Sequence, residues 1–277
     1  MAAPNDPAHL IGHVKDARYF EVPRFLVADG RLEIPQPFED FGIVITKFMV
    51  LEVVAAVLVA LVFISLAARI APGGRPRGRF WNLFEAMLVY IRDEVARPAI
   101  GKHDADRFLP YLWTVFFFVL FCNLLGMIPW AGSATGALGT TVALAALTFA
   151  VVIGSGMLKL GPVEFWKAQV PHMDLPLALA VVLKPMIFAI ELLGLCVKHF
   201  ILAVRLFANM FAGHLVLVVI VSFIAVTAES LAWYGVMPAS IFGAVALSML
   251  ELFVAFLQAY IFTFLSALFI GMAVHPH

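Results

Sequence analysis

Glu191, Lys198 and Arg205 recur every seven residues inside one long apolar run, and Asn209 follows the arginine by four. On a helix that spacing puts all four on nearly one stripe. His214, nine residues beyond Arg205, points about half a turn away. A second apolar run carries Glu251 and Gln258, again seven apart, on a face shared with Ser248. An ionised side chain at the centre of a bilayer costs about 2.5 to 3.5 kcal/mol on insertion scales, so groups like these must face protein or a water-filled path. A row of titratable side chains in such a place is what a proton relay requires. The bland alternative is a set of satisfied pairs stitching helices together. It weighs as much as the relay for Lys198 and His199, since Lys198 can snorkel or reach Glu191. For Glu191, His214 and Glu251 the relay outweighs it. Arg205 differs in kind, because a guanidinium stays protonated and offers a fixed positive charge rather than a transferable proton. No carboxylate lies within four residues of it. Its counter-ion must come from elsewhere, which points to a partner subunit.

The surrounding composition says what positions these groups. Of 277 residues, 63% are hydrophobic and 13% charged, where a soluble domain is nearer half apolar and a quarter charged. The 18 basic and 18 acidic residues cancel, so no basic field exists to hold nucleic acid. Cys122 and Cys196 both sit in apolar runs and suggest neither a disulfide framework nor a metal site. There is no closely spaced His-x-x-x-His pair, and Glu191 with His199 is poor ligand spacing, so neither a metal nor a cofactor is expected.

Runs of about 20 apolar residues each fit a helix through a hydrocarbon layer about 30 Å thick. The expected fold is an all-α polytopic membrane protein with five membrane-crossing helices and one amphipathic interfacial helix. Residues 1–46 form an outer-side segment, rich in proline and mixed in charge, with little predicted structure and no signal-peptide pattern. Residues 47–71 make the first crossing, closed by a basic stop from Pro72 to Arg79. Trp81, Phe84, Leu88, Ile91 and Val95 recur at helical spacing opposite polar residues, which predicts an interfacial helix over 80–99. Residues 108–158 hold a transmembrane pair joined by the Gly-rich turn from Gly132 to Gly139. The last stretch, 177–274, is too long for two ordinary spans. Leu177 to Val226 would make a helix of roughly 75 Å at about 1.5 Å per residue, and Ala239 to Val274 one of roughly 54 Å. Either a tight hairpin or a strongly tilted long helix accommodates the first, and two overlong neighbours favour a tilted pair. The segments Arg69 to Arg107 and Lys159 to Lys167 contain ten of the 18 basic residues, which places them on the cytoplasmic or equivalent matrix side, the C-terminus with them.

The segment Arg205-Leu206-Phe207-Ala208-Asn209-Met210-Phe211-Ala212-Gly213-His214 resembles the signature of subunit a of rotary F-type ATP synthases. Glu191 and Lys198 sit at the offsets that family uses. Leu257-Gln258-Ala259-Tyr260-Ile261-Phe262 is similar to its last-helix motif, and the likeness runs over about residues 40 to 275, taking in Asn123-Leu124-Leu125-Gly126-Met127-Ile128-Pro129. The resemblance implies two long tilted helices wrapped against a rotor ring of c subunits. It implies that Arg205 is the essential arginine facing the rotor carboxylate, with Asn209 and Gln258 as polar partners beside it. His214 and Glu251 fall at positions where some members carry the acid and the histidine the other way round. Glu191 resembles an acid of the half-channels. Gly126 stands where some bacterial members place an aspartate, which puts a relay role for that position in doubt.

The implied function is a stator subunit that carries protons through two offset half-channels and couples their flow to ATP synthesis. This would be a non-catalytic part of the complex, with no ATP-binding motif in the chain. The expected partners are the c-ring, the peripheral-stalk b subunits, other synthase subunits and the lipid bilayer. The expected site is a bacterial plasma membrane, with the mitochondrial inner membrane as the alternative. The rival reading is a subunit of an antiporter-like or redox-driven pump, in which the same groups form a self-contained lateral relay.

Overall fold

Backbone polar groups inside an apolar layer find no water, so a chain this hydrophobic is driven to satisfy them within helices. The computed structural model, which describes residues 16–21, 31–37, 39–42, 44–70, 78–128, 131–170 and 177–275, is accordingly helical nearly throughout. Helix α1 spans Lys47–Ile70 and α2 begins at Arg79–Tyr90. Then follow α3 (Ala105–Gly126), α4 (Leu138–Leu160), a short α5 (Pro162–Ala168), α6 (Leu177–Val226) and α7 (Trp233–Val274). Five of these, α1, α3, α4, α6 and α7, are long and apolar enough to cross a membrane. The polytopic all-α class read from the sequence therefore holds. The basic stop at 72–77 and the end of the second apolar run at 129–130 lie outside the described residues.

The choice between hairpin and single helix is settled for α6, which runs unbroken for 50 residues through Pro185. Proline removes one hydrogen bond from a helix, but a loop at that depth would expose several backbone groups to hydrocarbon. One missing bond is the smaller loss. A helix of that length, about 75 Å, fits an apolar layer of about 30 Å only by tilting or by extending beyond it.

The interfacial element, expected over 80–99, is helical through Ile100. From α2 the chain continues through a wide π turn, Ile91–Ala96, into a last helical turn, Arg97–Ile100. The Arg97 N–H reaches back five residues to the Arg92 carbonyl just before Pro98. Widening the turn there relieves the clash between the proline ring and the carbonyl four residues earlier. Phe84, Ile91, Val95, Ala96 and Ile100 are buried along its apolar face. On its polar face Arg92 and Arg97 both bind Asp93, and the Arg92 guanidinium holds that carboxyl below the usual carboxylate range.

The chain divides into two compact units. The first comprises Met1–Ala68, Phe117–Thr141 and Leu206–Ala259. Its core packs Phe48, Leu51 and Ala55 of α1 against Cys122 of α3 and Ala134. A short antiparallel ribbon, Tyr19–Glu21 with Arg31–Glu33, precedes it. The segment before α1 also caps that helix, since the Phe48 N–H donates to the Asp16 carboxylate at 3.3 Å and the Lys47 N–H to the Ala17 carbonyl at 2.9 Å. These bonds satisfy donors that a helix start leaves without intrahelical partners.

The second unit comprises Arg69–Phe116, Val142–Arg205 and Tyr260–His277. Here the Trp113 indole donates to the Leu88 carbonyl at 3.1 Å, and the Tyr111 hydroxyl to Thr148 at 2.9 Å. Glycines allow the closest approaches. A Cβ at Gly271 of α7 would collide with the Ala99 carbonyl oxygen, and one at Gly156 of α4 would strike the buried Phe165 ring and lie 3.0 Å from the Ala273 carbonyl. Backbone and a packed ring cannot step aside. Gly271→Ala and Gly156→Ala should each cost about 1 to 3 kcal/mol by overpacking. Gly154→Ala, two residues away with nothing within 4 Å, should leave thermal unfolding of the detergent-solubilised protein unchanged or slightly raised.

Candidate functional site

The first unit assembles an acid, a histidine and an amide pair. Glu251 of α7 lies against Gly213 of α6, so close that a Cβ at 213 would collide with its carboxylate oxygen. That contact places Glu251 beside His214, with which it interacts electrostatically. The bare face of Gly213 is what admits the acid. One Glu251 oxygen is buried and, among the described residues, has no hydrogen-bond partner.

The His214 ring is held at both nitrogens. Nδ1 is 2.9 Å from the Met210 carbonyl and Nε2 is 2.8 Å from the Gly126 carbonyl. Carbonyl oxygens only accept, and a neutral imidazole has one N–H, so only the imidazolium donates to both. The protonated ring is thus geometrically provided for, next to a carboxylate that can balance its charge. One residue before Met210, Asn209 donates to the Gln258 side-chain oxygen at 2.8 Å, which ties α6 to α7. The Gln258 amide nitrogen, on a residue only 2% exposed, has no hydrogen-bond partner among the described residues.

A buried polar chain adjoins this group. Asn123 of α3 donates to the Ala255 carbonyl at 3.3 Å and accepts from Thr135 at 2.7 Å, while Thr135 lies 2.9 Å from Ser133. None of these three is charged, so the hydropathy profile gave no reason to single out Ser133 or Thr135. Gly126 enters differently from a side-chain relay. A side chain there would press on Ser133, its Cα 3.1 Å away, and the residue contributes its carbonyl to His214 instead. Glu52, inside the first span, accepts from Thr140 at 2.7 Å and is a charge in an apolar run that sequence reasoning passed over.

The second unit holds Glu191 and Lys198. Together with Gln169, Leu195, Phe269 and His275 they line a cavity of about 330 Å³. His199 is not of this group. It is buried between the rings of Phe149 and Phe269, each centroid 5.0 Å away, and its Nδ1 meets the Leu195 carbonyl at 2.9 Å. Its surroundings are those of a packing residue. Arg205, the last residue of α6 in this unit, is exposed and has no ion-pair partner among the described residues. Ala208 and Ala212 are exposed on the same helical face.

Comparison with known proteins decides the family. The sequence model described as ATP synthase A chain matches residues 49–271. The chain belongs to the ATP synthase A chain family. It is 42% identical over 236 residues to ATP synthase subunit a of Myxococcus xanthus, covering 84% of this chain and 75% of the relative. Over 276 residues it is 38% identical to subunit a of Chloroherpeton thalassium, covering 98% of this chain and 78% of that one. It is also 38% identical over 278 residues to ATP synthase subunit a 2 of Chlorobaculum tepidum, covering 98% and 74%. All seven residues singled out for chemistry, Glu191 to Gln258, lie inside the stretch that matches the ATP synthase A chain.

The Glu251 carboxylate is the flexible end of a side chain, so an added methyl at 213 displaces it rather than unfolding the helix pair. Gly213→Ala should therefore leave the synthase assembled and lower proton-driven ATP synthesis several-fold. Activity equal to the parent would show that the Glu251 position against α6 does not matter.

Proposed function

We propose that this chain is the stator subunit that conducts protons through two offset half-channels, to and from carboxylates on a ring of c subunits, and so couples proton flow to ATP synthesis. The single observation that carries the reading is Arg205, a permanent cation exposed on a membrane-length helix without an ion-pair partner among the described residues. A charge in that setting needs an anion from outside the chain. Small Ala208 and Ala212 on the same face let another helix approach closely. A rotor carboxylate meets both requirements.

The polar and titratable groups on either side of Arg205 along α6 support the division into two paths. Glu191 and Lys198 precede it and belong to the second unit, while Asn209 and His214 follow it and belong to the first, with Glu251 and Gln258. From Glu191 to His214 the helix rises about 35 Å, comparable to the about 30 Å of a hydrocarbon core. A proton entering from the outer side passes His214 and Glu251 and neutralises the rotor carboxylate. The neutral acid then moves into lipid without the desolvation cost of a charge. After near-complete rotation it releases its proton toward Glu191 and Lys198, and the carboxylate is drawn to Arg205. The fixed guanidinium charge keeps the two paths from joining. Each proton crossing 100 mV yields about 2.3 kcal/mol for this cycle.

Asn209 and Gln258 hold the polar face beside the arginine, and the peripheral-stalk b subunits anchor the stator. A bacterial plasma membrane is the location this reading assigns, in keeping with the bacterial origin of the relatives.

Arg205→Ala is expected to abolish proton-driven ATP synthesis while the complex still co-purifies with its c-ring; normal synthesis rates from that variant would sink the reading. For the acid and histidine, His214→Glu alone should impair transport, and adding Glu251→His should restore part of it. Lack of rescue would mean that the two act independently.

A further inference from the structure

Glu191 and Lys198 share their cavity with a residue that the function above does not use. His275 lies just beyond α7, its side chain 54% exposed, and it lines the same cavity. Its Nε2 is 3.1 Å from the Asp104 carboxylate, and Asp104 also binds Lys159 at the end of α4. Asp104 and Lys159 in turn line a second cavity of about 240 Å³ with Arg107 and Ser155. A single ion-paired cluster thus borders both cavities, and its histidine is in contact with solvent and with the space that Glu191 faces.

We propose that His275 is the proton-exchange residue at the water-side end of the Glu191 and Lys198 cavity, held in place by Asp104. The proposal rests on the reading of Glu191 and Lys198 as part of the proton path. Imidazole is the side chain whose charge changes near neutral pH, so it can both take and give a proton under working conditions. The imidazolium keeps its Nε2–H on the Asp104 carboxylate and releases its Nδ1 proton to water, and Nδ1 of the neutral ring takes the next one from hydronium in the cavity or from the Glu191 carboxyl. On release one N–H bond breaks and one O–H bond forms, on uptake one O–H bond breaks and one N–H bond forms, and neither step changes an oxidation state.

Asp104 is the positioning residue. The Lys159 ammonium bonded to it holds its carboxyl below the usual carboxylate range, so it stays an anion while His275 cycles. The other charged groups around the ring are named by the elements that bring them. His103 and Arg107 flank Asp104, Lys159 comes from α4, and Glu191 and Lys198 come from α6 across the cavity. From α5, Glu164 and Lys167 pair with one another and do not line it.

The test uses the assembled synthase in membrane vesicles, with ATP synthesis driven by an imposed gradient and the pH varied on the face that carries His275. His275→Gln, which keeps size and polarity but cannot cycle a proton, should lower the rate at least about threefold, less than the about 100-fold of a buried general acid because water reaches the ring. It should also flatten the dependence on that pH between about 5.5 and 7.5. His275→Ala should regain rate when imidazole is added. Asp104→Asn, which removes the anion that holds the ring in place, should lower the rate by less than His275→Gln does. A parental rate and profile in His275→Gln would overturn the proposal. So would a lowered rate with unchanged pH dependence and no rescue by imidazole, the pattern of a purely structural residue. Arg205→Ala, run in parallel, separates the two levels: loss of synthesis there with a parental His275→Gln overturns only this inference, whereas retained synthesis there removes the half-channel reading itself.

Discussion

A positive charge that can be neither discharged nor left bare in an apolar layer governs this molecule. Arg205 stays ionised, and none of the described residues supplies it with a carboxylate. The cost of such a charge is the reason its helix cannot simply face lipid around it. α6 and α7 follow from that constraint. Only 6% of the most apolar window of α6 and 11% of that of α7 is buried within the chain, against 50% for α3. Helices so sparsely covered by their own chain present most of their surface to lipid or to other subunits.

The polar groups that follow the arginine along α6, with their partners on α7, are arranged so that each helps another keep its place. Asn209 is pinned by Gln258, and His214 by two carbonyls, one from its own helix and one from the end of α3. Glu251 fits only because residue 213 has no side chain. Inside a low-dielectric layer such bonds hold well, and a misplaced partner is correspondingly costly. That rigidity is compatible with proton transfer because protons move over short distances between groups that need not move far. The half-channel reading draws its strength from this combination of fixed geometry and titratable chemistry.

Much of the fold was legible because the signals were long and periodic. Apolar runs announced the crossing helices, and the spacing of Trp81, Phe84, Leu88, Ile91 and Val95 marked the interfacial one. Pro98 falls inside that helix, and the chain absorbs the proline by widening one turn. Likewise Pro185, which could have broken the overlong run, is carried through. In both places tertiary packing and the apolar surroundings outweighed a local propensity. Within the site, Lys198 and His199 looked equivalent as neighbours, but helix geometry sends one into a cavity and the other between two phenylalanine rings.

From the sequence alone came the identity of the charged groups, their stripe on α6 and the isolation of Arg205, because a helix converts spacing into direction without any other information. Which of those groups meet was decided only in three dimensions. Glu251 and His214 are 37 residues apart in the chain, and their meeting depends on the register between α6 and α7. The Gly126 carbonyl and the Ser133 and Thr135 hydroxyls carry no hydropathy signal, since backbone and small polar groups look alike wherever they fall, and nothing in the spacing of Asp104 and His275 announces that they meet. Their contribution arises from long-range packing, which fixes distance, and distance is what hydrogen bonds and proton transfer depend on.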